Sequence, residues 1–137
     1  MFPLEDTIFV IDDSMGVRAL VRRQLEGLGY KNIIDAENGK DALGKIEAHY
    51  ASKKTVGLII CDWNMPEMNG IELLLRLKNN PDLKSIPFLM VTSESETENV
   101  VKAIVLGVSD FIVKPFDEAL MSEKLKAIWS RFAKDKA

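Results

Sequence analysis

The chain has 137 residues, 47% hydrophobic and 28% charged, a composition typical of one globular domain and not of a disordered chain. Its formal net charge of −3, with both signs scattered, argues against a nucleic-acid-binding surface or a polybasic membrane patch. One cysteine and one histidine exclude a disulfide framework and a multi-histidine metal site. Since no signal-like or spanning segment is present, we expect a cytoplasmic monomer.

Five short apolar runs alternate with helical patterns along the chain, which predicts a (βα)₅ arrangement. The predicted strands are Thr7–Ile11, Asn32–Asp35, Gly57–Cys61, Pro87–Val91 and Asp110–Val113. The second run is shorter and weaker than the others, as expected of an edge strand. The nearly continuous apolar character of the other runs is typical of strands that are covered by helices on both faces.

Apolar residues recur with helical spacing between these runs and after the last one. The five stripes run over Val17–Leu28, Ala42–Ile46, Ile71–Leu77, Val100–Val105 and Leu120–Phe132. Asp13 or Ser14 is a candidate N-cap of the first helix, and Asn38 of the second. The pattern Ser95-x-x-Glu98 predicts a capping box at the start of the fourth.

This order of elements predicts the fold class. Strands separated by helices of this length require right-handed crossovers and a parallel sheet with helices on both faces. Of the two common orders, Rossmann-like and flavodoxin-like, five units fit the flavodoxin-like order 2-1-3-4-5. We therefore predict one doubly wound α/β domain over residues 1–137, with a core of about residues 7–132 and no output domain.

Polar side chains follow four of the five predicted strands at the points where they end. Asp12 and Asp13 follow the first strand, Asp62 the third, Thr92 the fourth and Lys114 the fifth. Ligands of open parallel sheets bind outside the carboxyl ends of the strands, where the strand order reverses. Because strands one and three are neighbours at that point, we expect three carboxylates, a hydroxyl and an ammonium to converge there.

Phosphoryl transfer is the chemistry that suits this set of groups. Three carboxylates in one pocket repel one another, and a hard cation such as Mg²⁺ relieves that repulsion. The Asp62 carboxylate can attack phosphorus to give an aspartyl phosphate. The metal and Lys114 would neutralise charge on the transferring phosphoryl oxygens, and the Thr92 hydroxyl could donate to one of them.

Each of these residues alone has a structural explanation, as a helix cap, a turn residue or a solvated charge. Those explanations do not account for polar groups of these types at the ends of four strands on one edge. Cys61 and His49 are different cases. We expect Cys61 to be a small buried apolar residue and His49 a surface residue, and neither receives a functional role.

Four segments carry a family resemblance that covers essentially Thr7–Phe132. They are Val10–Ser14 with Arg18, Asp62–Gly70, Leu89–Glu94 and Val113–Phe116. With these motifs the chain resembles the receiver domains of two-component response regulators, in particular the single-domain chemotaxis type. Those chemotaxis regulators are themselves an established example of the flavodoxin-like order, so the resemblance also implies the strand order.

The resemblance implies roles for the acidic residues. Asp62 would be the phosphoacceptor. Asp13, Asp62 and the backbone carbonyl of Asn64 would bind Mg²⁺ directly, and Asp12 would act largely through water. The domain would catalyse its own phosphorylation and dephosphorylation without being a conventional enzyme.

The resemblance implies a switch as well. Thr92 would move toward the phosphoryl group and Lys114 would pair with it. Phe111 stands at the aromatic switch position, and its ring would turn inward behind Thr92. Asn64 and Glu94 would flank the route of the hydrolytic water and so set the lifetime of the phosphoryl bond. A cis peptide bond is implied between Lys114 and the proline after it.

The implied phosphoryl donor is a histidine kinase, and the implied output surface consists of helix four, strand five and helix five. The flagellar motor switch protein and a phosphatase are further candidate partners. Three features depart from the best-known chemotaxis regulators: Phe111 replaces tyrosine, Ser93 replaces alanine, and the connection 49–56 is longer. They concern motor binding and not the phosphorylation chemistry.

Other functions compete with this interpretation. A flavodoxin-type FMN carrier would need a hydroxyl- and glycine-rich loop after strand one, where Asp12 and Asp13 would repel phosphate. A haloacid-dehalogenase-type phosphohydrolase would place its nucleophile after strand one in an Asp-x-Asp pattern. A degenerate receiver would lack some of the acidic, hydroxyl or lysine positions. Among outputs, motility regulation comes first, a phosphate sink or phosphorelay intermediate second, and a non-chemotactic adaptor third.

Overall fold

A computed structural model of the protein describes residues 1–93 and 97–136. Its strands are β1 (Thr7–Ile11), β2 (Ile33–Ala36), β3 (Val56–Asp62), β4 (Phe88–Thr92) and β5 (Asp110–Val113). Its helices are α1 (Met15–Gly27), α2 (Gly39–Ala51), α3 (Gly70–Lys78), α4 (Thr97–Leu106) and α5 (Glu118–Lys136). The strands are parallel in the order β2-β1-β3-β4-β5, which confirms the predicted flavodoxin-like fold with β2 at one edge.

The strand boundaries differ from the predicted ones mainly at the carboxyl edge. β1 and β5 have the predicted bounds, whereas β3 and β4 each continue one residue further. The reason is that Asp62 still pairs with Val91, and Thr92 with Val113, in the parallel ladder. Both polar residues are therefore held by rigid strands and not by flexible loops.

Local side-chain caps set the helix starts. Ser14, one of the two candidates, is the N-cap of α1, and Asn38 caps α2 as predicted. α3 begins with a reciprocal capping box led by Asn69, which the sequence analysis did not identify. The box predicted at the start of α4 depends on Ser95, which lies outside the described residues.

Two apolar layers flank the sheet. One, facing α2, α3 and α4, contains Phe9, Ile59 and Met90; the other, facing α1 and α5, contains Ile8 and Ile60. Neighbouring residues of a strand fall in opposite layers because side chains alternate along it. Cys61 is fully buried in the first layer, as predicted. Within residues 1–93 and 97–136, no helix has both the length and the apolar character needed to cross a bilayer.

The N-terminal segment adds to the core that the sequence analysis began at Thr7. Phe2 is only 2% exposed, and its ring centroid lies 5.1 Å from that of Trp129 on α5. The buried Tyr30 hydroxyl donates to the Phe2 carbonyl oxygen at 2.8 Å. The N-terminal segment thus contacts both α5, through Trp129, and the buried Tyr30.

The predicted surface position of His49 is wrong. Its ring is half-buried, with Nε2 2.9 Å from the Thr7 hydroxyl and an edge-on contact to Phe9. The cause is that α2 extends to Ala51, so that residues 49–51 are helical where a solvated connection was expected. Burial lowers the pKa of His49, and nearby Lys54 lowers it further.

Gly70 provides a test of how tightly β3 and α3 are joined. A Cβ atom on Gly70 would overlap the Asp62 carbonyl oxygen, whereas one on Gly44 of α2 would meet no atom within 4 Å. We expect Gly70→Ala to lower the free energy of unfolding by about 1–3 kcal/mol. The matched change Gly44→Ala should raise it by roughly 0.5–1 kcal/mol, because alanine favours a helix interior. Urea denaturation measures both, and a Gly70→Ala variant as stable as the wild type would contradict the close packing.

Candidate functional site

Three carboxylates meet at the carboxyl edge of the sheet. Asp12 follows β1 and is 3% exposed, Asp62 ends β3 and is 7% exposed, and Asp13 is exposed. One oxygen of each lies within 4.8 Å of the others. They converge because β1 and β3 are neighbours in the sheet and their carboxyl ends are level, with Ile11 paired to Cys61.

Asp12 is held in place from two sides. The backbone N–H of Ser14 donates to its Oδ1 at 2.8 Å, and the Arg18 guanidinium donates to its backbone oxygen. Arg18 also faces Asp35 of β2, with Nε 3.6 Å from Oδ2. Arg18 belongs to one of the predicted motifs, but no role was predicted for it. Its position four residues after the Ser14 cap, on the inner side of α1, was the available signal.

Lys114 completes the pocket from β5. Its Nζ lies 3.3 Å from Asp12 Oδ2 and 3.3 Å from Asp62 Oδ1. The Lys114–Pro115 peptide bond is cis, as the resemblance implied. The structure therefore brings together Asp12, Asp13, Asp62 and Lys114, the charged groups that the strand ends predicted.

The pKa values of Asp12, Asp62 and Lys114 are shifted by burial and by one another's charges. Burial, followed by repulsion from Asp12, raises the pKa of Asp62 to about 6, against the opposing effect of Lys114 and the Trp63 N–H. Burial likewise raises the pKa of Asp12, although the Ser14 N–H and Lys114 lower it. For Lys114, burial alone would lower the pKa, but Asp62 and Asp12 outweigh it and raise the pKa.

Thr92 and Phe111 lie on the next two strands. Thr92 is fully buried at the end of β4, and its hydroxyl donates to the Ser93 carbonyl oxygen at 3.3 Å. Phe111 is half-buried on β5, and the Nζ of Lys124 lies 5.1 Å from the centre of its ring. Lys124 also pairs with Asp110 at 3.3 Å. This cation over the ring was not predicted, since α5 and β5 meet only in the folded chain.

The two positions assigned to phosphoryl lifetime have different outcomes. Asn64 is exposed in the loop after β3, which is closed by a 2.9 Å bond from the Gly70 N–H to the Trp63 carbonyl oxygen. Glu94 lies outside the described residues. The roles of both positions stay predictions.

The residues present fit a hard divalent cation. The donors are carboxylate oxygens, which Mg²⁺ prefers over nitrogen or sulfur ligands. The pKa of Asp62 is raised to about 6 by burial and then by repulsion from Asp12, and Lys114 does not offset both effects. An added cation would relieve both the repulsion and the burial of charge.

Comparison with known proteins agrees with this architecture. The family model of the response regulator receiver domain matches residues 8–126. The chain is 37% identical over 121 residues to the chemotaxis protein CheY1 of Helicobacter pylori, which covers 88% of this chain and 94% of that protein. The chain therefore belongs to the response regulator receiver domain family. It is of the CheY type, a group of signalling proteins and not of conventional enzymes.

Solved structures give the same picture. The chemotaxis response regulator CheY4 of Vibrio cholerae superposes with a TM-score of 0.78 at 30% identity, over 90% of this chain and 98% of that one. A CheX–CheY–BeF₃–Mg²⁺ complex from Borrelia burgdorferi gives a TM-score of 0.81, covering 90% of this chain and 89% of that one. At 23% identity, the second likeness concerns the fold alone.

The raised pKa of Asp62 generates a prediction about stability. A carboxyl whose pKa rises from 3.8 to about 6 on folding contributes stability below pH 4 that is lost as the pH rises through 6. In magnesium-free buffer, Asp62→Asn should therefore abolish that decline and be more stable at pH 7 by about 1–3 kcal/mol. Chemical denaturation between pH 4 and 8 measures the difference.

Asp35→Asn is the matched control, because Asp35 pairs with two arginines at the surface of β2. It should lower the free energy of unfolding at pH 7 by less than about 1 kcal/mol, the opposite sign. Equal destabilisation by both substitutions would show that the Asp62 charge is not buried at a cost.

Proposed function

We propose that Asp62 accepts a phosphoryl group from the phosphohistidine of a histidine kinase, and that the modified domain then changes its binding to partners. The observation that carries this proposal is a buried carboxylate 3.3 Å from the Lys114 ammonium, with its pKa at about 6. At neutral pH that carboxylate is ionised and can act as a nucleophile. Its oxygen forms a bond to phosphorus while the bond from phosphorus to the donor imidazole breaks, and the electron pair leaves with the imidazole.

Lys114 and Thr92 would stabilise the charge that this transfer moves. The Lys114 ammonium already lies between Asp12 and Asp62, so it needs little rearrangement to meet phosphoryl oxygens. The Thr92 hydroxyl, now directed to the Ser93 carbonyl oxygen, would rotate to donate to a phosphoryl oxygen. Preorganised charge of this kind provides most of the catalysis in phosphoryl transfer.

Asp13, Asp62 and the Asn64 backbone carbonyl are the proposed direct Mg²⁺ ligands, and Asp12 is proposed to act largely through water. The cluster of acidic oxygens within 4.8 Å supports this assignment. When bound, Mg²⁺ would supply positive charge to the phosphoryl oxygens. Asn64, with Glu94, is further proposed to govern how readily water reaches the aspartyl phosphate.

Control of motility is the proposed output, supported by similarity to proteins named as chemotaxis regulators. The flagellar motor switch protein and a phosphatase are candidate partners, and the CheX bound in the Borrelia burgdorferi complex illustrates a partner of a protein with this fold. A phosphate sink or phosphorelay intermediate and a non-chemotactic adaptor remain the alternatives. The single-domain organisation, the monomeric state and the cytoplasmic location stay predictions.

The phosphoacceptor assignment can be tested by mass. Incubation with acetyl phosphate and Mg²⁺ should add one phosphoryl group, and Asp62→Asn should abolish the addition. Lys114→Gln should slow labelling by about 10²-fold, the usual effect of removing one preorganised donor. Asp82→Asn, an exposed carboxylate far from the pocket, is the matched control and should label normally. Persistent labelling of the Asp62→Asn protein at the wild-type level would place the acceptor elsewhere.

The proposed switch depends on a balance at Phe111. A phosphoryl group would draw the Thr92 hydroxyl toward Asp62 and free space behind it, into which the ring could turn. Full burial of an exposed ring gains on the order of 1.5–3 kcal/mol, and the half-buried Phe111 ring would gain only a part of this. The Lys124 cation over the half-buried ring opposes this movement by about 0.5–2 kcal/mol. The two effects are similar in size, so a modest change at Thr92 could reverse the preference.

Aromatic NMR of Phe111 tests this balance. The ring signals should move on addition of beryllofluoride and Mg²⁺, and Thr92→Ala should reduce that movement. Lys124→Gln should shift the ring inward even without activation, whereas Lys126→Gln, an exposed lysine of the same helix, should not. Phe111→Tyr should give a steeper switch, since its hydroxyl must be desolvated or paired for the inward position. Identical ring signals in resting and activated protein would contradict the mechanism.

A further inference from the structure

A second charged pocket lies at the opposite edge of the sheet. It has a volume of about 410 Å³, and the residues around it include Lys78, Lys84, Ser109, Ile128, Arg131 and Phe132. It borders the amino ends of β4 and β5, whereas Thr92 and Lys114 stand at their carboxyl ends. A five-residue strand separates the two sites by roughly 16 Å. No residue is shared between them.

The charge of this pocket is one-sided. Three of its lining side chains are cationic and none of the described lining side chains is acidic, although the whole chain has a net charge of −3. Arg131 approaches a carboxylate, with 3.4 Å between its guanidinium and Asp110 Oδ2. Among the residues that the structure describes, neither Lys78 nor Lys84 has a carboxylate within 4 Å.

Lys78 is the most buried of the three cations. Its side chain is half-buried beside Gly107, where a Cβ atom would lie only 3.1 Å from the Lys78 Cε. Gly107 has a φ of +106°, a backbone conformation that favours glycine. Burial lowers the pKa of Lys78, with no described acidic group to offset it. A half-buried ammonium without a paired carboxylate is unfavourable, and a bound anion would stabilise it.

A purely structural role explains part of this arrangement. Lys78 is in the last turn of α3, where a cation interacts favourably with the helix end, and its Nζ donates to the Lys84 carbonyl oxygen at 3.0 Å. An ammonium has three donors, however, and this bond uses one. Arg131 has a structural role as well, since its guanidinium donates to the Ser109 carbonyl oxygen at 2.7 Å. These roles do not explain why the exposed Lys84 lines the same pocket.

We propose that this pocket binds a small phosphate-bearing anion. Lys78, Lys84 and Arg131 would contact the phosphate oxygens, and a planar guanidinium can meet two of them at once. A cavity of about 410 Å³ exceeds the size of a phosphate and falls within the usual range for small-molecule sites. Ile128 and the Phe132 ring offer an apolar wall to the group that carries the phosphate. The ligand is thus a phosphate or diphosphate ester, or free pyrophosphate.

Amide NMR titration in magnesium-free buffer tests the proposal, with pyrophosphate and ADP as separate probes. Saturable shifts should appear at Ser85, Lys84 and Ser109. Lys78→Gln and Arg131→Gln should each weaken binding by about tenfold, the effect of losing one charge-assisted contact. Lys126→Gln removes the same charge from an exposed position of α5 outside the pocket and should change the affinity less than about twofold.

The two probes distinguish the sources of the phosphate. Equal binding of pyrophosphate and ADP would show that the anion suffices, and tighter binding of ADP would show that the attached group contacts the apolar wall as well. Absence of saturable shifts up to on the order of 10 mM of either probe overturns the proposal. Equal weakening by Lys126→Gln and Lys78→Gln overturns it too, since binding would then be nonspecific.

Circular dichroism should verify the fold of each variant, and Lys84→Gln, at an exposed position, replaces Lys78→Gln if the latter does not fold. Asp62→Asn protein should bind the probes like the wild type. A failure of the phosphoacceptor assignment would therefore leave this result unchanged, and the reverse also holds.

Discussion

Two buried carboxylates beside a single ammonium are the constraint on which the rest of this structure depends. Asp12 and Asp62 are almost inaccessible, and each lies 3.3 Å from the Lys114 Nζ. Burial raises the pKa of Asp62 to about 6, repulsion from Asp12 adds to the rise, and the one positive charge of Lys114 does not offset them. Such an arrangement lowers stability and persists only where the surrounding chain fixes it. It also suits the hard divalent cation that we propose for this pocket.

The sheet is what fixes it. Asp62 and Thr92 remain within the parallel ladder, so their positions follow from strand pairing and not from loop conformation. The Ser14 N–H and the Arg18 guanidinium hold Asp12 from α1. Behind these groups, two apolar layers bury both faces of the sheet and supply the favourable free energy that offsets the charged edge. Gly70 then brings α3 against the Asp62 carbonyl oxygen, which leaves little freedom for the loop between them.

A chain of contacts runs along the outer side of β5. Lys124 lies over the Phe111 ring and pairs with Asp110, and Asp110 is also approached by Arg131 from further along α5. The same Arg131 lines the cationic pocket at the amino ends of β4 and β5. Asp110 therefore pairs both with Lys124, which lies over the Phe111 ring, and with Arg131, which lines the proposed anion site. Both ends of β5 are bordered by charge, with an acidic pocket at one end and a basic pocket at the other.

The features that depend on local pattern could be predicted from the residues alone. Alternating apolar runs and helical stripes defined the elements, and the strand-end residues placed Asp12, Asp13, Asp62 and Lys114 on one edge, because parallel strands end on the same side. The predicted carboxyl ends of β3 and β4 were one residue short, since a polar residue at a strand end has no local signal for continued pairing. Contacts between residues distant in the chain became apparent only in the folded structure. Four such contacts depend on how the helices and termini pack on the sheet. They are Phe2 with Trp129, His49 with Thr7, Lys124 with the Phe111 ring, and the shared pocket of Lys78 and Arg131. No periodicity within a short segment encodes such contacts, because each side chain is polar or apolar in the same way whichever partner it meets.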